Sequence, residues 1–203
     1  MAPGYRLYSS LTSPYGRKVR MALGHLGLEN NVQVIHADTL DPDDELRRIN
    51  PLGKIPALVP AVGPAIYDSK VIIDYLDGCY GQGEIVPYGY AERARAMTLA
   101  TLADGLTDAL LLITYEARFR GTETHGERWL LHQHGKLDRG FAEVLLVLKE
   151  FSAPSLPALA LSCALGYADW RKQIDWRRRH PELVTWLDSF RDRFREFDKT
   201  AAL

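Results

Sequence analysis

Two hydrophobic periodicities alternate over the first third of the chain. Tyr5-Arg6-Leu7-Tyr8-Ser9 is aromatic-rich and alternating, which predicts a strand. Val19, Ala22, Leu23 and Leu26 then recur at i, i+3, i+4 and i+7, the apolar stripe of a helix. Pro14 suits the first turn of that helix, where a missing N–H costs nothing, and Gly27 supplies a stop. Residues 32–35 read as a second strand, and 43–49 as a short polar helix closed by Asn50-Pro51. Ala57-Leu58-Val59 and Ala65-Ile66-Tyr67, parted by Pro60 and Gly63-Pro64, predict a hairpin. Ser69 then opens a helix with Ile72, Tyr75, Leu76 and Cys79 on one face. The order is β-α-β-α-β-β-α, a sheet with a parallel portion and an antiparallel edge.

Glycine and proline cluster over residues 81–89, which predicts a linker. Beyond it the strand signals vanish. Leu99, Leu102, Ala103, Leu106, Leu110 and Ile113 keep helical spacing, as do Phe141, Val144, Leu145 and Leu148. Residues 155–168 are small and apolar on nearly every side, the pattern of a buried central helix. Residues 181–196 are amphipathic, with Leu183, Leu187, Phe190 and Phe194 inward. The chain therefore divides into an α/β part over 1–80 and an all-helical part over 90–203.

Composition narrows the chemistry. In 203 residues the net charge is −1, so no basic excess points to nucleic acid. No apolar run of the length needed to span a bilayer is evident, and the first residues lack the charged-then-apolar plan of a secretory signal, so no membrane partner and a cytoplasmic location are expected. The two cysteines, Cys79 and Cys163, lie far apart in helical patterns without a CxxC partner, which predicts two buried, reduced thiols. No His, Cys and carboxylate group has zinc-ligand spacing, so no metal is expected.

The candidate chemistry lies at the first strand-to-helix junction, Ser13-Pro14-Tyr15-Gly16. Glutaredoxins and other thioredoxin-like redox proteins carry Cys-Pro-Tyr-Cys at such a turn. Here both cysteine positions hold non-thiols, so a surviving thiol chemistry takes its sulfur from a ligand, and glutathione is the obvious source. With the helical second part, the chain resembles the cytosolic glutathione S-transferase family over essentially its whole length, and among its members the bacterial Ser-type enzymes. Three motifs carry the resemblance: residues 12–20, Thr12-Ser13-Pro14-Tyr15-Gly16-Arg17-Lys18-Val19-Arg20; residues 50–58, Asn50-Pro51-Leu52-Gly53-Lys54-Ile55-Pro56-Ala57-Leu58; and Tyr67-Asp68-Ser69 ahead of a helix.

The resemblance implies a thioredoxin-like, glutathione-binding N-terminal domain and an all-α C-terminal domain that walls an electrophile site. It also implies glutathione as co-substrate, a small electrophile as the second substrate, and a homodimer. Ser13 is the candidate catalytic residue, with Thr12, Ser10 and Ser9 as rivals in the same turn. Glutathione would be held by Thr12, Tyr15, Lys54, Ile55, Pro56, Asp68 and Ser69: a cis Ile55–Pro56 step would present the Ile55 backbone to the cysteinyl segment, Asp68 and Ser69 would take the γ-glutamyl end, and Lys54 would reach the glycine carboxylate. One departure stands out. The family's central helix opens on Ser or Thr followed three residues later by Asp, whereas Ser155 is followed by Ala158. Without the reciprocal half of this capping box the helix start is expected to lose roughly 0.5–2 kcal/mol, and Ala158→Asp to recover it.

Overall fold

The computed structural model describes residues 4–120 and 126–202; residues 1–3, which contributed to the reading of the N-terminus, lie outside the described residues. The chain forms two compact units. The first holds Met1–Arg93 and also Arg195–Leu203, and the second holds Ala94–Phe194.

In the first unit, β1 (Tyr5–Ser9) lies centrally between β2 (Val32–His36) and β3 (Ala57–Pro60). β1 runs parallel to β2, with Leu7 opposite Val34, and antiparallel to β3, with Leu7 opposite Leu58. This is the thioredoxin-like arrangement that the pattern predicts, with one strand fewer. The second half of the hairpin contributes a single bridge, in which Leu58 and Ile66 exchange backbone hydrogen bonds of 2.8–2.9 Å. Pro60 and Pro64 cannot donate to a ladder, and Pro60 ends β3.

Helix α1 (Pro14–His25) buries Val19, Ala22 and Leu23 as predicted, along with Met21. It ends in a Schellman motif: Gly27, at φ +68°, donates to the Gly24 carbonyl and Leu28 to that of Leu23. Helix α2 spans only Leu46–Ile49, shorter than the expected 43–49. The missing turn is explained by Asp44, whose carboxylate accepts from the N–H groups of Asp38 (2.7 Å) and Leu46 (2.8 Å) and so folds the segment as a side-chain-capped loop. Those bonds, the one to Leu46 most, hold the Asp44 carboxyl below its ordinary value of 3.8. A depressed carboxyl stabilises the fold above its ordinary pKa, and the contribution disappears as pH falls through the lowered one. The stability difference between the native chain and Asp44→Asn is therefore expected to be constant near neutrality and to close below about pH 4, as denaturant melts across that range would record.

Helix α3 (Ser69–Leu76) buries Ile72, Ile73 and Leu76 and passes into a π-helical turn, Asp77–Gly81. That turn rotates Cys79 out of the predicted apolar face and exposes it, whereas Cys163 is buried as expected, and neither is in a disulfide. The buried Asp77 carboxylate accepts from the N–H groups of Ile85 (3.1 Å) and Val86 (2.8 Å), so the glycine-rich stretch is tied down rather than loose.

The second unit is helical: α4 (Tyr90–Arg120, whose first turn belongs to the first unit), α5 (Glu127–Leu146), α6 (Leu156–Arg171), α7 (Trp176–Arg179) and α8 (Pro181–Arg193). Gly140 lets α5 approach α4, since a Cβ there would press on Leu106. One correction concerns α4, which includes an 18-residue window of mean hydropathy 1.5, long and apolar enough by composition to cross a bilayer, although 44% of that window is buried inside the molecule.

Helix α6 is buried continuously from Leu156 to Leu165. At its start the Ser155 hydroxyl caps the Ala158 N–H at 3.4 Å, and the Ser155 N–H is already satisfied by the Ser152 carbonyl at 3.0 Å. The backbone thus replaces the absent half of the capping box, and Ala158 is fully buried. The expectation from the sequence reverses: Ala158→Asp is expected to lower stability by about 1–2 kcal/mol, by burying a carboxylate whose capping-box partner, the Ser155 N–H, is already bonded to the Ser152 carbonyl, and a higher melting temperature in the variant would overturn this.

Candidate functional site

The sheet register collects the three motifs at one end of the first unit. Ser13 follows the C-terminal end of β1. Tyr8 lies opposite Ala57, so Pro56 flanks that same end. The bridge of Leu58 to Ile66 carries the next strand back alongside, which brings Asp68 and the start of α3 to the same edge. The N-termini of α1 and α3, with their positive dipole ends, are thereby placed together, a setting that favours an anion.

Ser13 is the N-cap of α1, with extended backbone at φ −78° and ψ 119°. Its Oγ accepts from the Gly16 N–H at 3.0 Å, and its carbonyl accepts from the Arg17 N–H at 2.8 Å. The cap uses only a lone pair. The hydroxyl hydrogen is a separate resource, so one oxygen can accept from the helix while it donates to a ligand atom. Of the rivals, Ser9 is buried, and Ser10 and Thr12 pair with each other at 3.2 Å between hydroxyl oxygens. Tyr15 is half-buried, with the Lys18 ammonium 5.9 Å from its ring centre.

Gly16 stands at the second cysteine position of the redox turn. A Cβ at that position would fall on the Ser9 Oγ, and Ser9 is itself buried. The small residue is needed for close packing of α1 on the end of β1.

The second motif is organised by Asn50, which the sequence marks as a helix stop and as the first residue of that motif. It is buried; its Nδ2 donates to the Lys54 carbonyl at 2.8 Å and its Oδ1 accepts from the Leu52 N–H at 3.1 Å. The turn also uses Gly53 at φ +60°, a conformation that suits glycine. Lys54 is exposed, Ile55 half-buried and Pro56 buried, and the Ile55–Pro56 peptide bond is cis. In the third motif Asp68 is exposed and caps α3 through the Lys70 N–H at 3.0 Å, while Ser69 is buried at the first helical position. Among the described residues no group of three or more histidine, cysteine or carboxylate side chains could hold a metal ion.

Residues 7–84 match the model of the glutathione S-transferase N-terminal domain. YibF, an uncharacterized GST-like protein of Escherichia coli K12, is 30% identical over 190 residues, 91% of this chain and 92% of its own. A glutathione transferase family member from Pseudomonas fluorescens Pf-5, solved with bound glutathione, is 37% identical with a TM-score of 0.91, over 98% of this chain and 99% of that one. A glutathione S-transferase from Methylobacillus flagellatus KT, also solved with glutathione, is 31% identical with a TM-score of 0.88, over 98% of this chain and 100% of that one. With that similarity running the length of both chains, and with the cap, the cis-proline turn and the α3 N-terminus at one sheet end, the chain belongs to the glutathione S-transferase family.

Proposed function

We propose that this chain is a glutathione transferase that binds glutathione at the shared end of α1, β3 and α3, holds its thiol as thiolate through Ser13, and directs it at an electrophile. The observation that carries the reading is the Ser13 cap: its oxygen accepts from the Gly16 N–H, so its O–H is aimed by the helix it terminates.

The energetics are sufficient. A free thiol has a pKa near 8.5, and lowering it by about 2 units needs roughly 2.7 kcal/mol. A hydrogen bond to a charged acceptor supplies roughly 1.5–3 kcal/mol, and the α1 N-terminus roughly 0.3–1 kcal/mol more. In the reaction the thiol proton leaves to solvent, the thiolate forms a sulfur–carbon bond, and the electron pair displaced from carbon departs with the leaving group or is protonated. The Ile55 backbone would pair with the cysteinyl segment as an added strand. Ser69 and the α3 N–H groups would hold the γ-glutamyl carboxylate, Asp68 its amine, and Lys54 the glycine carboxylate, with Thr12 and Tyr15 lining the turn. A homodimer is the expected assembly.

The test is a pH titration of bound glutathione that follows the thiolate absorbance. A thiolate persisting near neutral pH supports the transferase. Binding with an unshifted thiol favours the second reading, a carrier or regulator, for which the family's non-redox turn is equally suited. No binding overturns both.

A further inference from the structure

Arg17 follows the active-site turn and would be expected to extend into solvent. It is instead only 8% exposed. Its guanidinium donates to the Phe197 carbonyl at 2.7 Å, reaches the Thr200 hydroxyl at 3.4 Å, and lies 3.9 Å from the Phe197 ring centre. These partners come from the end of the chain, where Arg195–Leu203 rejoins the first unit after the helical one. Phe197 is itself buried in the short helix α9 (Glu196–Lys199). Two turns further along α1, Gly24 lies so close to Glu196 that a Cβ would meet its Cγ at 2.7 Å.

Positions 17 and 24 are seven apart and share a face of α1. That face differs from the one on which Val19, Ala22 and Leu23 pack. The helix is therefore gripped by the core on one side and by the chain terminus on another. The grip begins on the turn that Ser13 caps, because the Arg17 N–H closes that turn on the Ser13 carbonyl at 2.8 Å.

We propose that Arg17 is a positioning residue, and that the C-terminal segment acts through it to fix the placement of the Ser13 hydroxyl. This rests on the assignment of Ser13 as the group that holds the thiolate. Hydrogen-bond strength depends steeply on alignment, and catalytic geometry tolerates little displacement. Binding of the tripeptide as a whole is distributed over the other two motifs, so the segment should govern thiolate stability more than affinity.

The experiment uses full-length Arg17→Lys and Phe197→Leu, each retaining charge or apolar bulk, with Ala158→Asp as a control destabilised in the other unit. The bound-glutathione thiol is titrated by its absorbance, and the glutathione Kd is measured by calorimetry. In both test variants the thiol pKa is expected to rise by about half to one unit, which at a pH well below it is a 3- to 10-fold loss of thiolate, while Kd measured at a pH where free and bound thiols are both protonated changes less than about twofold; in the control the pKa should not move. Should both variants fail to fold, Thr200→Val, which removes the longer Arg17 contact along with the hydroxyl's bonds to the Glu196 and Phe197 carbonyls and leaves the 2.7 Å bond from Arg17 to the Phe197 carbonyl, is expected to shift the pKa in the same direction by less. A lowered wild-type pKa that every folded variant retains overturns this inference alone. A wild-type thiol at its ordinary pKa overturns the assignment of Ser13 and this inference with it.

Discussion

Replacing Ser13 by alanine is expected to lower kcat/KM with glutathione and an activated electrophile by about 10- to 100-fold, the kinetic equivalent of one hydrogen bond to a charged group. The loss should fall on kcat more than on glutathione affinity, because the contacts proposed for the tripeptide at Ile55 and Ser69 would remain. The bound thiol pKa should rise in parallel. The variant also loses the cap, since the Gly16 N–H now held at 3.0 Å loses its acceptor, and stability should fall by about 0.5–2 kcal/mol. The two effects separate through companion variants. Ser13→Thr keeps both hydroxyl and cap and should retain most activity. Ser13→Gly leaves the helix within a few tenths of a kcal/mol of native yet lacks the hydroxyl, and should be as impaired as alanine. If Ser13→Ala is less stable but turns over at the native rate, Ser13 is a cap alone, and the thiolate is held by Thr12 or by the N–H groups of the α1 turn.

Local rules account for what the sequence disclosed. β1, α1, α3 and the long helices of the second unit follow from periodicity, and the Gly27 stop from the need for positive φ. The three motifs could be located because each is a turn or cap with its own residue chemistry. What the sequence concealed depends on partners distant along the chain or on competing local bonds. The 43–49 helix was cut short by the Asp44 side chain, which preferred the Asp38 and Leu46 N–H groups. The Ser155 cap reads as incomplete in sequence because the missing partner is a backbone carbonyl, that of Ser152. Cys79 read as buried because a π-helical turn breaks the periodicity that placed it. The burial of Arg17 has no local signal because its partners lie about 180 positions away, and the role of Asn50 is hidden because its bonds run to main-chain groups within its own turn.

Restoring the redox motif tests why sulfur is absent from this turn. Ser13→Cys is expected to fold, because cysteine is close in size to serine and the site is only half-buried, and to show more glutathione-dependent thiol–disulfide exchange than the native chain. The thiolate would benefit from the same helix N-terminus, which lowers cysteine pKa in such positions. Gly16→Cys is expected to behave differently. A glycine inside a helix normally gains about 1 kcal/mol on becoming alanine, and a few tenths of that on becoming cysteine. Here the new Cβ collides with the buried Ser9 Oγ, and overpacking of this kind costs about 1–3 kcal/mol. The variant should therefore be less stable than native despite better helix propensity. Removing the obstructing oxygen in Ser9→Ala/Gly16→Cys should recover most of the loss, a coupling that a double-mutant cycle on melting free energies would measure. If Gly16→Cys is as stable as the native chain, Ser9 is not the obstacle, and the glycine reflects the ligand's need for space. If the cycle shows the coupling, the turn is closed to a second protein thiol by packing, and the scaffold is committed to a sulfur that arrives with its ligand.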